Sequence, residues 1–143
     1  MQGLDAAPLV VQKCYESWQK HNPDWNIVLL DENNIQEHIT LRAKQITHQA
    51  LSDILRINLL SKYGGVWVDA TCFCTKPMGE WLYANLNSGF FAFERPGPDR
   101  MISSWFLAST KNNYITHAYT EAVNMYWDEN PGMILFENSE WVS

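Results

Sequence analysis

The chain has 143 residues, of which 46% are hydrophobic and 18% are charged, a balance typical of one globular domain with a core and no disordered tract. Its net charge of −6 argues against a surface that binds nucleic acid or an anionic membrane. The sequence has neither a P-loop nor a GxGxxG motif, so nucleoside-triphosphate hydrolysis and Rossmann-type redox chemistry have no support.

The first predicted helix begins at Asp5, a capping residue, and ends near Lys20, with Pro8 in its first turn. A strand over residues 26–30 and a short helix over residues 32–39 follow. The apolar stripe of the first helix is predicted to consist of Val10, Cys14 and Trp18.

The next helix is predicted over residues 46–63, and its leucines and isoleucines are spread around most of its circumference, which is typical of a buried helix. Gly64 and Gly65 are predicted to stop it, because glycine takes the left-handed conformation that closes a last turn. The β-branched residues that follow predict a strand over residues 66–69 that ends on Asp69.

Two features of this segment have alternative readings. Asp53 and Arg56, three residues apart, form either a solvated ion pair or a partly desolvated pair that binds something. Asp69 either begins a turn or meets a ligand, since ligands in open α/β sheets gather beyond the carboxyl ends of strands.

The remaining predicted elements alternate between helices and strands, which favours an α/β fold with a mostly parallel sheet flanked by helices. Residues 94–100, with two arginines, read as a solvated surface turn or as a mobile element over a ligand. The elements are a turn over 76–79, a short helix over 80–85, strands over 89–94 and 104–108, a loop over 95–100 and a helix over 113–127.

Cys72 and Cys74 point to one face of a strand and have poor zinc-site spacing, so a zinc or redox protein is a distant alternative and we expect reduced thiols. The histidines at 38, 48 and 117 are predicted to be ordinary rather than catalytic. The chain has no apolar run of about 18 residues and no signal peptide at its start. We therefore expect no membrane span and a cytoplasmic location, with peripheral attachment to the inner face of the membrane left open.

The central segment resembles the signature of DXD-sugar-binding glycosyltransferases, which include glycosyltransferase family 32 and the bacterial capsular polysaccharide synthesis proteins. Softer similarity over residues 2–31 and 90–113 accompanies it. The resemblance implies a GT-A-type nucleotide-diphospho-sugar transferase fold over residues 1–143 as a single, partial domain. The matching residues are Ser52-Asp53-x-x-Arg56 and Tyr63-Gly64-Gly65-x-Trp67-x-Asp69-x-Thr71.

The resemblance also implies roles for individual residues. Asp53 and Arg56 would contact the donor sugar, and Asp69 would reach the ribose, the sugar and the metal region; these three are the implied catalytic residues. The further residues implied in donor binding are Trp67, Gly64, Gly65, Ser104 and Trp105.

The second acid of the DXD pair is replaced by Thr71, so the implied metal ligands are Asp69 and Thr71. Divalent cations that bridge phosphates prefer anionic oxygen ligands. We therefore expect Mn²⁺ or Mg²⁺ to be required but held more weakly or with different ligands.

The implied activity is transfer of a sugar from a nucleotide-diphosphate donor to a glycan or lipid-linked acceptor in capsular or surface polysaccharide synthesis, with retention at the anomeric carbon and no dedicated base. Family members carry a strand before the Gln2-Gly3 position and a further C-terminal part, so a chain truncated at both ends is expected, with an exposed sheet edge through which oligomers could form. The alternative is an inactive GT-A-like fragment that binds a nucleotide sugar or a partner protein.

Overall fold

The computed structural model describes residues 4–30 and 48–129, and the predicted short helix over residues 32–39 lies outside them. The chain first forms α1 (Leu9–His21) and α2 (His48–Tyr63), and α3 (Tyr114–Glu129) ends the described part. Three strands lie between α2 and α3, namely β1 (Gly65–Val68), β2 (Phe90–Gly97) and β3 (Arg100–Ser109). Short 3₁₀ helices are Leu4–Ala6, Met78–Glu80 and Tyr83–Asn85.

The three strands form one sheet in the order β1-β3-β2, with both neighbouring pairs antiparallel. The α/β class is confirmed, but the expected mostly parallel sheet is wrong. The physical reason lies in residues 95–100, which were predicted to be a loop. They belong to a β2–β3 hairpin in which Gly97 pairs with Arg100, and strands joined by so short a turn are necessarily antiparallel.

Several element boundaries differ from the prediction. α1 begins at Leu9 rather than Asp5, after Pro8, and has no side-chain cap. Its buried residues are Val11, Cys14 and Ser17, whereas Val10 is 54% exposed. The predicted strand over residues 26–30 is wrong, because these residues belong to no helix or strand.

Both faces of the sheet are covered, because neighbouring residues of a strand point to opposite faces. Leu107 of β3 and Trp67 of β1 pack on α2, while Phe106 and Ala108 pack on the far side with the two 3₁₀ helices that follow β1. Most of the α2 side chains that the structure describes between residues 52 and 61 are buried, as the sequence predicts, and α3 packs against this helix. Asp69 therefore lies directly after β1, between the two layers that cover the faces of the sheet. Among the described residues, no helix is long and apolar enough to cross a bilayer.

The predicted helix stop at the glycine pair is confirmed. The Gly64 N–H donates to the Leu60 carbonyl (2.9 Å), and Gly64 and Gly65 have φ values of +70° and +103°. A Cβ at Gly64 would lie 2.6 Å from the Lys111 backbone nitrogen, whereas one at Gly65 would meet nothing within 4 Å. Gly64 is therefore required both by conformation and by the close approach of the chain after β3.

We expect the loss of stability on substituting three glycines by alanine to depend on two effects, the positive φ of the glycine and the space around its Cα. Gly64→Ala should lower the free energy of unfolding by more than about 2 kcal/mol, because strain and a backbone clash combine. Gly65→Ala should cost about 1 kcal/mol through strain alone, and Gly79→Ala, in open space without positive φ, less than about 0.5 kcal/mol. Urea unfolding measures all three, and equal losses at Gly64 and Gly79 would contradict this account.

Candidate functional site

The centre of the site is Arg56, which α2 holds at 5% exposure beside the end of β1. Its Nη1 lies 2.6 Å from Asp53 Oδ1, and its Nη2 lies 3.5 Å from Asp69 Oδ1. The Asp53 and Asp69 side chains are 54% and 26% exposed. The structure therefore brings together the three residues that the resemblance implied to be catalytic, and the Asp53–Arg56 pair is partly desolvated rather than a solvated surface pair.

Trp67, on β1, contacts both the Asp69 carboxylate and the Arg56 guanidinium. Its indole Nε1 donates to Asp69 Oδ1 (2.9 Å), and its ring centroid lies 5.3 Å from the Arg56 guanidinium carbon. A cation over an aromatic face is stabilised by the ring quadrupole. One tryptophan thus orients both the acid and the cation of the site.

The described partners leave part of this cluster without hydrogen bonds. Both contacts to Asp69 end on Oδ1, so among the described residues Oδ2 has none. Arg56 Nε is buried and has no hydrogen-bond partner. An unpaired buried donor is costly, so the hydrogen bonding of Arg56 is incomplete within the part of the chain that the structure describes.

The loop after Asp69 is held by α1 through contacts that the sequence did not predict. The Trp18 indole donates to the Cys72 carbonyl (2.8 Å), and the Cys74 N–H donates to Ser17 Oγ (2.8 Å). Asn22 accepts a hydrogen bond from the Met78 N–H (2.8 Å). No local pattern signals these bonds, because they join residues more than 50 positions apart.

The other implied donor-binding residues take different positions. Ser104 is exposed, while its neighbour Ser103 is 1% exposed with an unpartnered Oγ. The Trp105 carbonyl accepts from the Asp69 N–H (2.9 Å), and its ring stacks on Phe93 at 4.8 Å. Trp105 therefore contacts Asp69 through its backbone, while its ring forms a partly exposed aromatic pair with Phe93.

The implied metal ligands are few. Thr71 is exposed in the turn after β1, and the part of the chain that the structure describes contains no group of three or more His, Cys, Asp or Glu residues that could hold a metal ion. One carboxylate oxygen, from Asp69, and one hydroxyl, from Thr71, are too few protein ligands to complete the coordination of a divalent cation. Mg²⁺, however, is often bound by one or two carboxylates together with substrate phosphates, and such a shared site fits the residues present.

The three cysteines are unbonded thiols, with Cys14 and Cys74 buried. Burial raises the pKa of the Cys72 thiol, and the nearby charge of Asp69 raises it further. Thiolate formation at Cys72 is therefore suppressed.

His117 is exposed on α3, and its Nε2 lies 3.3 Å from Glu121 Oε1 on the same helix.

Two adjoining clefts, of about 480 Å³ and 150 Å³, lie beside β1. Both are lined by Val66 and Val68 and by residues from the irregular segment between Asn26 and Leu29. Gly64 and Gly65 line the larger cleft, and Asp69 lines the smaller one. The smaller cleft therefore reaches Asp69, one of the two acids that pair with Arg56.

Sequence comparison assigns the chain to a family. The family model for capsular polysaccharide synthesis proteins matches residues 1–136, and the chain belongs to that family. The chain is also similar to the O-glycosyltransferase braB of Annulohypoxylon truncatum, at 24% identity over 152 residues. The alignment covers 88% of this chain and 36% of the relative, so the chain spans about a third of that relative's length. No solved structure matches the chain.

We expect Trp67→Phe to lower the free energy of unfolding by about 2 kcal/mol, because it removes a hydrogen bond to a charged acceptor and keeps a ring over Arg56. Trp81→Phe is the matched control, since Trp81 makes ring contacts with Phe91 and Phe106 and its indole N–H bonds to no described residue. Thermal or urea unfolding compares the two. A larger loss from Trp81→Phe would contradict the assigned role of the indole.

We expect Asp69→Asn to speed alkylation of Cys72 at fixed pH. Removing the negative charge lowers the thiol pKa and so raises the thiolate fraction at any pH below that pKa. The rate of modification by iodoacetamide, followed by mass spectrometry between pH 7 and 9, measures the effect, with Asp99→Asn on the distant hairpin as the control. Equal rates in the parent and Asp69→Asn chains would contradict the predicted proximity of charge and thiol.

Proposed function

We propose that the chain carries the donor site of a glycosyltransferase that uses a nucleotide-diphosphate sugar. The observation that supports the proposal most directly is the environment of the buried Arg56. It pairs with two partly exposed carboxylates and lies over the Trp67 ring, and its Nε has no hydrogen-bond partner among the described residues. A site with acids for sugar hydroxyls or a cation, and a buried guanidinium donor for an anionic oxygen, suits a diphospho-sugar. Membership in the capsular polysaccharide synthesis family and similarity to an O-glycosyltransferase support the same class of reaction.

In this proposal each residue has a separate task. Asp53 and Asp69 accept hydrogen bonds from the donor sugar through the oxygens that Arg56 does not engage. Arg56 holds the two acids in a fixed geometry, and its positive charge offsets the charge of the leaving diphosphate. Trp67 keeps the Asp69 carboxylate oriented.

The reaction breaks the bond between the anomeric carbon and the diphosphate and forms a bond to an acceptor hydroxyl, whose proton departs. Charge therefore develops on the diphosphate oxygens, and positive groups that are already in place lower the barrier most effectively. Retention of anomeric configuration, with the diphosphate oxygen taking the acceptor proton, requires no enzyme base and is part of the proposal. The acceptor is proposed to be a glycan or a lipid-linked glycan.

Mn²⁺ or Mg²⁺ is proposed to bind at Asp69 and Thr71 together with the donor, where it would offset diphosphate charge. Because the protein supplies only these two ligands, the cation is proposed to bind weakly when the nucleotide sugar is absent. A second candidate function, a catalytically silent binder of a nucleotide sugar, is favoured by the neutral Thr71 at the position where a second acid would complete the pair.

We expect a donor to raise the melting temperature of the chain through mass action, and Asp69→Asn to abolish that shift. The panel consists of UDP-, GDP-, CMP- and dTDP-sugars with and without Mn²⁺. Asp99→Asn, an exposed acid on the β2–β3 hairpin, should keep the shift. Release of the free nucleotide separates a transferase from a silent binder, and a donor shift that survives Asp69→Asn would contradict the assigned site.

We also expect Mn²⁺ to bind at least about tenfold more tightly in the presence of the stabilising donor than alone, because the donor phosphates supply the missing anionic ligands. Thr71→Asp should tighten binding of Mn²⁺ alone, while Thr75→Asp, exposed further along the same loop, should not. Electron paramagnetic resonance of free Mn²⁺ measures both. Equal effects of the two aspartates would show that general charge, rather than this site, attracts the cation.

A further inference from the structure

The pairing of β2 with β3 is irregular near the middle of the two strands. Ala92 pairs with Leu107, and the next pair joins Glu94 to Ile102. Two steps along β2 therefore correspond to five steps along β3, so β3 carries three extra residues between these pairs. Such a bulge changes the face to which nearby side chains point, and this one includes Trp105.

The bulge brings the Trp105 ring onto Phe93. Leu107, two positions further along β3, packs on α2, and strict alternation would place Trp105 on the same face. Instead, the Trp105 ring stacks on Phe93 with 4.8 Å between centroids and 18° between planes. Phe93 in turn contacts Phe106, which packs on the opposite face. The irregular register therefore creates a stacked pair of rings that regular pairing would keep apart.

The stacked pair is partly accessible, and polar groups accompany it. Phe93 and Trp105 are 36% and 37% exposed. The indoles of Trp18 and Trp67 donate to protein oxygens, whereas the indole N–H of Trp105 has no partner among the described residues. Ser104, its neighbour in the bulge, is exposed. A flat apolar face with hydrogen-bonding groups beside it is complementary to a pyranose ring, which has an apolar C–H face and hydroxyls around its edge.

The pair also lies next to the acid that is proposed to bind the donor sugar. The Trp105 carbonyl accepts a hydrogen bond from the Asp69 N–H (2.9 Å). The last residue of β1, Val68, pairs with Phe106, so the bulge lies at the end of the sheet where Asp69 follows β1. A transfer reaction requires the acceptor hydroxyl beside the anomeric carbon of the donor, so the acceptor must bind at this end of the sheet.

We infer that the Phe93–Trp105 pair binds a pyranose ring of the acceptor glycan, which stacks on the exposed ring faces and directs a hydroxyl towards the donor at Asp69. The assignment of this sugar as the acceptor rests on the proposed function, whereas binding of a sugar to the pair does not. The two can therefore be tested separately.

The test titrates methyl α- and β-pyranosides of glucose, galactose, mannose and N-acetylglucosamine into the ¹⁵N-labelled chain without donor. We expect at least one pyranoside to move the indole signal of Trp105 in a saturable manner, and Trp105→Phe identifies that signal by its absence. Sorbitol, an open-chain polyol without a ring face, should leave the signal in place. The inference is overturned if no pyranoside moves the signal, which is the result expected if another segment of the chain or a second copy covers the pair.

Two matched substitutions locate the binding. Phe93→Leu keeps an apolar side chain but removes the stacked ring, and it should weaken the pyranoside at least about fivefold. Phe73→Leu makes the same change at a 63% exposed ring in the loop after Asp69 and should leave the affinity unchanged. Equal losses in the two variants would place the sugar elsewhere and overturn the inference.

A second measurement separates the acceptor assignment from the proposed function. Phe93→Leu should keep the rise in melting temperature that a donor produces, but should lose the faster release of free nucleotide that the bound pyranoside causes in the parent chain. Loss of the donor shift in Phe93→Leu would mean that the pair serves the donor, which overturns the acceptor assignment. Pyranoside binding in a chain that binds no donor would contradict the proposed function and the acceptor assignment, while retaining the saccharide site.

Discussion

The site depends on one buried cation. Arg56 is enclosed by an apolar helix and the end of β1, and a charge in such surroundings is stable only when it is paired. Its pairing with Asp53 on α2 and with Asp69 after β1 neutralises that charge, and Trp67, on the face of β1 that packs on α2, places its ring against the guanidinium. Removing both acids would leave an uncompensated charge beside the core.

Elements far from this cluster serve to keep it in place. The glycine pair turns α2 directly into β1, so that a helical arginine and a strand-end aspartate only thirteen positions later can meet. The side chains of α1 hold the loop after Asp69 from the opposite layer through Trp18 and Ser17. The acids therefore lie on rigid elements while the loop remains exposed at Thr71, a combination suited to a preorganised ligand site.

Local signals predicted α2, the glycine stop, β1 and the positions of Asp53, Arg56 and Asp69, because helix periodicity and glycine chemistry act over a few residues. They did not predict the antiparallel sheet, since strand pairing joins Val66 to Ala108 across the chain and depends on which hairpin forms. The prolines at 96 and 98 suggested a loop, yet the hairpin accommodates them with register shifts between Ala92 and Gly97. The bonds from α1 to the site loop and the unpartnered Arg56 Nε became visible only once the layers were assembled.

The most direct test of the site is the indole resonance of Trp67, whose N–H donates to Asp69, the carboxylate that is proposed to bind the donor sugar. In a ¹⁵N-labelled chain, nuclear magnetic resonance separates the indole signals of the seven tryptophans, and Trp67→Phe identifies the signal of Trp67. Titration with a stabilising nucleotide sugar should move the Trp67 signal at the concentration that saturates the thermal shift, because a ligand on Asp69 perturbs that hydrogen bond. A saturating donor that leaves the Trp67 signal in place and moves only other indoles would contradict the assignment of the site to Arg56 and its two acids.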